Sequence, residues 1–211
     1  MDDRRMRIAS SLACEWEQRS PTGMYGSFVC KSCEDRFTGW DNYAAAVLRE
    51  KPEATGQGWD FGKYDHDRLL RFFLSVLWRM HACEHRFFET VDLGSQTVSL
   101  TRFLLGNSDF LQQDFEVVPT YSTHLLSCGV MAPILIHVEG VPYWQIYLPR
   151  FQALIKIVSG PGAACLQPYV MANGKSLCML EKNFDEFNEI QTFERVVAEN
   201  LKRKNGKRHK F

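Results

Sequence analysis

Nothing in this 211-residue sequence approaches the roughly 18 consecutive apolar residues that a membrane-spanning helix needs. The opening Met-Asp-Asp-Arg-Arg likewise lacks the apolar run of a secretory leader. Net charge is missing too: 25 Lys plus Arg balance 25 Asp plus Glu, so no global field draws the chain to nucleic acid or to an anionic membrane. No internal repeat is present, which excludes a solenoid. No Gly-rich phosphate loop follows a strand-like run, and there is no Gly-x-Ser-x-Gly elbow, which argues against a nucleotide-cofactor enzyme or an α/β-hydrolase. A disulfide framework is also lacking: the seven cysteines, Cys14, Cys30, Cys33, Cys83, Cys128, Cys165 and Cys178, are odd in number and unevenly spaced, which points to a reducing compartment. The expectation is a cytoplasmic protein with no membrane partner.

What is present is an ordinary globular composition, with 45% hydrophobic and 24% charged residues, enough to close one sizeable core. Residues 1–29 show no sustained period and read as an irregular arm, with a short strand at Ser27 to Val29. Phe37, Trp40, Ala44, Val47 and Leu48 fall on one helical face, predicting a helix from about Cys33 to Glu50 that stops before Pro52. Gly56, Gly58 and Gly62 mark a loop. Asp65-His66-Asp67 offers caps for a helix from Arg68 to about Cys83, whose apolar residues cover nearly its whole circumference, so it should be central and mostly buried. A shorter amphipathic helix is expected over Ser99 to Leu105.

From Phe115 the texture changes to short apolar runs between turn residues. Phe115 to Tyr121, Val130 to Val138, Val141 to Leu148 and Ala153 to Val158 read as strands of an antiparallel meander, with Glu139-Gly140 as a two-residue hairpin turn. Gly160-Pro161-Gly162 reads as a turn, and a further strand near Leu177 to Leu180 follows the Asn173-Gly174 turn. Phe184, Phe187, Ile190, Phe193, Val197 and Leu201 step at three and four residues, predicting a closing C-terminal helix. The fold class expected is α+β: an N-terminal zinc-knuckle-like turn and helices packed with an antiparallel β-meander. Residues 1–55 would hold the arm and knuckle-like helix, and residues 56–211 the α+β body, as one compact unit.

The chemistry concentrates in Cys30-Lys31-Ser32-Cys33, at the start of the first long helix. Two thiolates at this spacing can converge on one ion while turn amides soften their charge, which is half of a structural zinc site. Cys14 is a candidate third ligand, and His81, Cys83 and His85 form a second candidate group. The plainer reading of the two histidines is a polar helix terminus complementing the dipole, and that of the cysteines is a chance pair of small residues. A thioredoxin-like role lacks the βαβ context it would need. The tail Lys202, Arg203, Lys204, Lys207, Arg208, Lys210 is a local basic patch: a frayed, solvated helix end on the plainer reading, a phosphate-binding arm on the functional one. Tyr143, Trp144 and Tyr147 would suit an interaction surface if exposed, although alternation in a sheet buries one face of such a run.

Three segments carry a resemblance: Arg19-Ser20-Pro21-Thr22-Gly23-Met24-Tyr25; Val29-Cys30-Lys31-Ser32-Cys33-Glu34-Asp35-Arg36-Phe37; and Trp40-Asp41-Asn42-Tyr43-Ala44. With Arg71 to Arg79, His85-Arg86-Phe87-Phe88 and Val91 to Gly94, they resemble a group of bacterial proteins with an HNH-like, treble-clef zinc module. The resemblance covers residues 19–94, and the β-rich remainder only in texture. It implies that Cys-x-x-Cys-Glu is the second half of the module, with Cys30 and Cys33 as zinc ligands and His85 as a matching position of unassigned role. The family's first half, an earlier Cys-x-x-Cys and a histidine-bearing segment, has no counterpart here: no histidine precedes His66. An HNH nuclease needs a histidine to activate water and groups to hold Mg²⁺, and no catalytic base carries over. Asp35, Asp41 and Glu34 lie near the knuckle, where solvated helix carboxylates explain them.

The resemblance therefore implies a structural zinc ion and a nuclease-like protein that is catalytically incomplete as it stands. Association with DNA or RNA through the basic tail, in phage defence, would fit it. The alternative is a non-enzymatic protein-interaction or regulatory module of a larger bacterial complex.

Overall fold

The computed structural model describes residues 7–9, 17–18, 29–56, 58–84, 86–106, 115–121, 129–148 and 150–181. Cys14, His85, Cys128, the expected helix over residues 184–201 and the basic tail lie outside the described residues. The described residues form three α-helices, α1 (Lys31–Val47), α2 (His66–Ala82) and α3 (Gln96–Leu104), in a mixed α+β architecture built on a larger sheet of mostly antiparallel strands. Two short strands, β1 (Arg7–Ala9) and β2 (Glu17–Gln18), pair antiparallel within the expected irregular arm.

Helix α2 starts where the sequence offered caps: the Asp65 side chain accepts from Arg68 N at 3.1 Å. Its apolar residues run round the helix because almost all of that surface is covered. Leu69, Leu70, Phe73, Leu74, Val76, Leu77 and Met80 are buried. Helix α1 packs against it through Phe37, whose ring lies 5.9 Å from that of Trp78, and through Ala44, which has no exposed surface. A bidentate ion pair reinforces this contact, with Arg79 Nη1 and Nη2 donating to the Asp41 carboxylate at 2.9 and 2.7 Å. The C-terminal carbonyls of α3 are taken by guanidinium groups from the other two helices: Arg36 donates to Leu104 O at 3.3 Å and Arg71 to Phe103 O at 2.6 Å. Cations there also complement the helix dipole.

The larger sheet has seven strands: β3 (Glu53–Thr55), β4 (Gly58–Asp60), β5 (Glu116–Tyr121), β7 (Ile134–Val138), β8 (Val141–Leu148), β9 (Phe151–Lys156) and β10 (Cys178–Glu181). Their order is β3-β4-β10-β5-β9-β8-β7. The β7-β8-β9 meander is as expected, and its first turn has positive φ at Glu139 (50°) and Gly140 (80°), the signature of a type I′ hairpin. The sheet is not wholly antiparallel, because β10 runs parallel to β5.

Two expectations need correcting. The run Val130 to Val138 is not one strand: β6 (Gly129–Met131) pairs parallel with β1 in a separate sheet, and β7 begins after Pro133. Proline lacks the N–H that a continuous ladder requires. The glycine-marked stretch near 56–62 is not simply a loop, since β3 and β4 pair antiparallel across it. Gly58 makes this feasible: its φ is +149°, and a Cβ there would stand 2.2 Å from Met179 O. Tyr143, Trp144 and Tyr147 are buried, as core packing of a strand run leads one to expect, and they form no outer surface.

Both faces of the sheet are covered at its central strands β5, β8 and β9. One face meets α2 through Val117, Trp144, Ile146, Ala153 and Ile155. The other carries Val118, Tyr143 and Leu154 against Ala163, beneath a 3-10 turn at Ala164–Tyr169. Lys156 lies in this second layer with no exposed surface, its Nζ 3.5 Å from Glu116 Oε1. The Nζ has no hydrogen-bond partner among the described residues. Glu116 Oε2 accepts from Tyr143 OH at 3.4 Å and from Gln167 Nε2 at 3.3 Å. Tyr143 OH in turn accepts from Ala163 N at 2.8 Å. A Cβ at Gly162 would sit 1.8 Å from Glu116 Oε2, so only glycine lets the segment settle there without a shift.

Two outcomes follow for equilibrium denaturation. Gly58→Ala forces a glycine-only backbone region and a carbonyl clash, and should lower stability by about 2–4 kcal/mol. Glu116→Ala should lower it by about 3–5 kcal/mol by stranding a buried ammonium, whereas Lys156→Met should cost less, because the Glu116 carboxylate keeps Tyr143 and Gln167 as donors. Equal losses in the last two variants would show that the ion pair itself, rather than the stranded charge, sets the cost.

Candidate functional site

The α1 N-terminus is locally unusual. Cys30 occupies the N-cap with extended backbone (φ −75°, ψ 161°) and makes no side-chain capping bond, although Ser, Thr, Asp or Asn there would stabilise the helix by about 1 kcal/mol. A position where the local rule is broken is a place to look for function. The helix begins at Lys31, two residues before its expected start at about Cys33, and the carbonyl of Cys30 accepts from both Cys33 N and Glu34 N at 3.0 Å. This closes the first turn and stacks the two cysteines at its ends.

The sulfurs are inequivalent. Cys30 is exposed and Cys33 is half-buried, and both are free thiols. The Ser32 hydroxyl lies 3.1 Å from Cys30 Sγ and is the main reason its pKa falls to about 7. The Cys33 backbone N–H adds to this, at a geometry too loose to count as a cap. The Cys33 thiol moves the other way, above its usual value, first through its hydrogen bond with the Cys30 side chain and then through burial. Thiolate character thus concentrates on the outer sulfur, and the inner one holds its proton.

As a metal site, this arrangement offers two converging soft donors, half of what a tetrahedral zinc requires. Among the described residues no group of three or more His, Cys, Asp or Glu could hold a metal ion. Of the other expected ligands, Cys14 and His85 lie outside the described residues. His81 is engaged in structure: its ring nitrogens meet Val91 O at 2.9 Å and Thr97 Oγ1 at 3.1 Å, which ties the end of α2 to the start of α3. His66 likewise sits 3.3 Å from Met171 O. Asp41, one of the acids near the pair, is occupied by Arg79.

The Lys156, Glu116 and Tyr143 cluster is a second concentration of polar chemistry that the sequence reading did not single out. The signal for it in the sequence was a lysine inside the otherwise apolar run Ala153 to Val158. Its groups partner one another and Gln167 and lie under the 3-10 turn, so it serves packing.

The charge asymmetry of the cysteine pair has a kinetic signature. Alkylation of the full chain by iodoacetamide, mapped by mass spectrometry, should modify Cys30 first, with a rate that climbs with pH through about 7 and levels above it. Cys33 should lag and keep accelerating at higher pH, and equal profiles for the two would refute the polarised pair. Comparisons with family models, with curated proteins and with solved structures found no match, so the fold and the site rest on the chain's own residues and geometry.

Proposed function

We propose that this chain carries the second half of an HNH-like, treble-clef zinc module, with Cys30 and Cys33 as thiolate ligands, in a protein that associates with nucleic acid and is catalytically incomplete. The observation that carries the reading is the placement of both cysteines in the first turn of a 17-residue helix, one of them at the N-cap. This is where two sulfurs can grip one ion while backbone amides offset their charge. A bound zinc would fix the entry of the chain into α1. It would supply structural cross-linking, since metal affinity at such a site is folding free energy.

The basic tail, Lys202 to Lys210, supplies the cations expected to meet phosphate oxygens, a contact that would weaken with salt. The reading is non-catalytic because the resemblance carries no base over to this chain; among the described residues, His66 and His81 are held by structural contacts, and the carboxylates near the knuckle have no histidine partner. Phage defence is the setting that the resemblance suggests. In that setting an incomplete nuclease module acts by binding.

Purified protein should contain stoichiometric zinc by elemental analysis, and the Cys30→Ser, Cys33→Ser double variant should contain none. Incubation with plasmid or single-stranded DNA and Mg²⁺ or Mn²⁺ should give no cleavage, while mobility shifts on the same DNA should appear at low salt and fade as salt rises. Wild-type protein free of zinc would end the zinc-module reading, and metal-dependent cleavage abolished by chelation would show that the chain is a complete enzyme.

A further inference from the structure

The two cysteines have a property that metal binding does not require: both are free thiols held at the two ends of one closed backbone turn. We propose that Cys30 and Cys33 form a two-electron thiol switch, in which a small-molecule disulfide of the glutathione class oxidises the pair to an intramolecular disulfide and so withdraws both sulfurs from metal. The consequence for metal rests on the zinc reading above, whereas the switch itself does not.

Geometry carries the proposal. Cys30 and Cys33 close one helical turn through the Cys33 N and Glu34 N bonds to Cys30 O at 3.0 Å. A turn closed by such an i to i+3 bond holds its end Cα atoms within about 7 Å, in the range of the roughly 4.4–6.8 Å that a disulfide spans. Both thiols are free and the backbone turn between them is already closed, so the disulfide forms by side-chain rotation. Their exposure sets the order of events, since an oxidant reaches the exposed Cys30 before the half-buried Cys33. The helix start thus supplies what the sequence reading sought in a βαβ unit.

The chemistry balances. The Cys30 thiolate attacks one sulfur of the oxidised disulfide, forming a mixed disulfide and expelling one small thiolate. Cys33 gives its proton to water and attacks the Cys30 sulfur. The Cys30–Cys33 bond forms and the second small thiolate leaves. The protein loses two electrons and two protons, and the oxidant becomes two thiols.

The test uses the full chain in glutathione buffers of increasing oxidised fraction. Acid quench, alkylation and peptide mapping follow, on metal-stripped and on zinc-supplemented samples. The expected result is a Cys30–Cys33 cross-link that reverses with dithiothreitol. In Cys33→Ser, Cys30 should instead stop as its glutathione mixed disulfide. In the supplemented wild type, oxidation should drop zinc to the level of the double variant. Metal-stripped wild type that accumulates the Cys30 mixed disulfide without closing the cross-link, or leaves Cys33 fully alkylatable, overturns the proposal even if zinc binds normally. A reversible cross-link in a chain that never holds zinc supports the switch and removes only the zinc reading.

Discussion

Helix α2 presents an apolar surface on almost every side, and the structure is arranged to keep water from it. Burying a leucine or phenylalanine side chain is worth about 1.5–3 kcal/mol, and Leu69, Leu70, Phe73, Leu74 and Leu77 are all essentially without exposed surface. Their sum exceeds any single polar link in the molecule, so hydrophobic burial decides that α1, α3 and the sheet must surround α2. The polar contacts then decide how. The Arg79 to Asp41 pair sets α1 against α2, and Arg36 and Arg71 converge on the end of α3. Arg36 lies one turn beyond Cys33 on α1, so the link that finishes α3 also anchors the turn that presents the thiols.

Much of this was legible in the residues. The encircling apolar pattern of α2, its Asp65 cap, the β8 strand bounds and the Glu139-Gly140 hairpin all follow from local rules that the tertiary structure does not oppose. What was not legible depends on partners distant in sequence. Nothing near Gly58 announces that a strand more than half the chain away will lie against it, and a glycine-rich stretch reads as loop without that knowledge. Pro133 was the missed local signal, because it divides a run whose apolarity alone looks continuous. The aromatic cluster of β8 was ambiguous for a different reason: a strand covered on both faces loses the alternation that would separate inner from outer residues.

The cysteine pair was visible by spacing, but its inequivalence was not. The spacing places the pair at the start of α1, but no local rule says which cysteine caps it or what lies beside each sulfur. Only the folded backbone puts Cys30 at the cap and Ser32 beside its sulfur. The same turn gives the outer sulfur its nucleophilic character and holds the inner one in reserve, so metal capture and disulfide closure draw on one geometry and compete for it.

Strand β10 is only Cys178–Glu181, yet its two halves serve different neighbours: Cys178 and Met179 pair with β4, and Leu180 and Glu181 pair with β5. It is the splice between the β3-β4 hairpin and the rest of the sheet. During synthesis the hairpin emerges early and must wait, with one edge unsatisfied, until these four residues leave the ribosome. Completion of the sheet is therefore a late, high-contact-order event, and any lesion that slows the arrival of β10 leaves an open strand edge available to other chains.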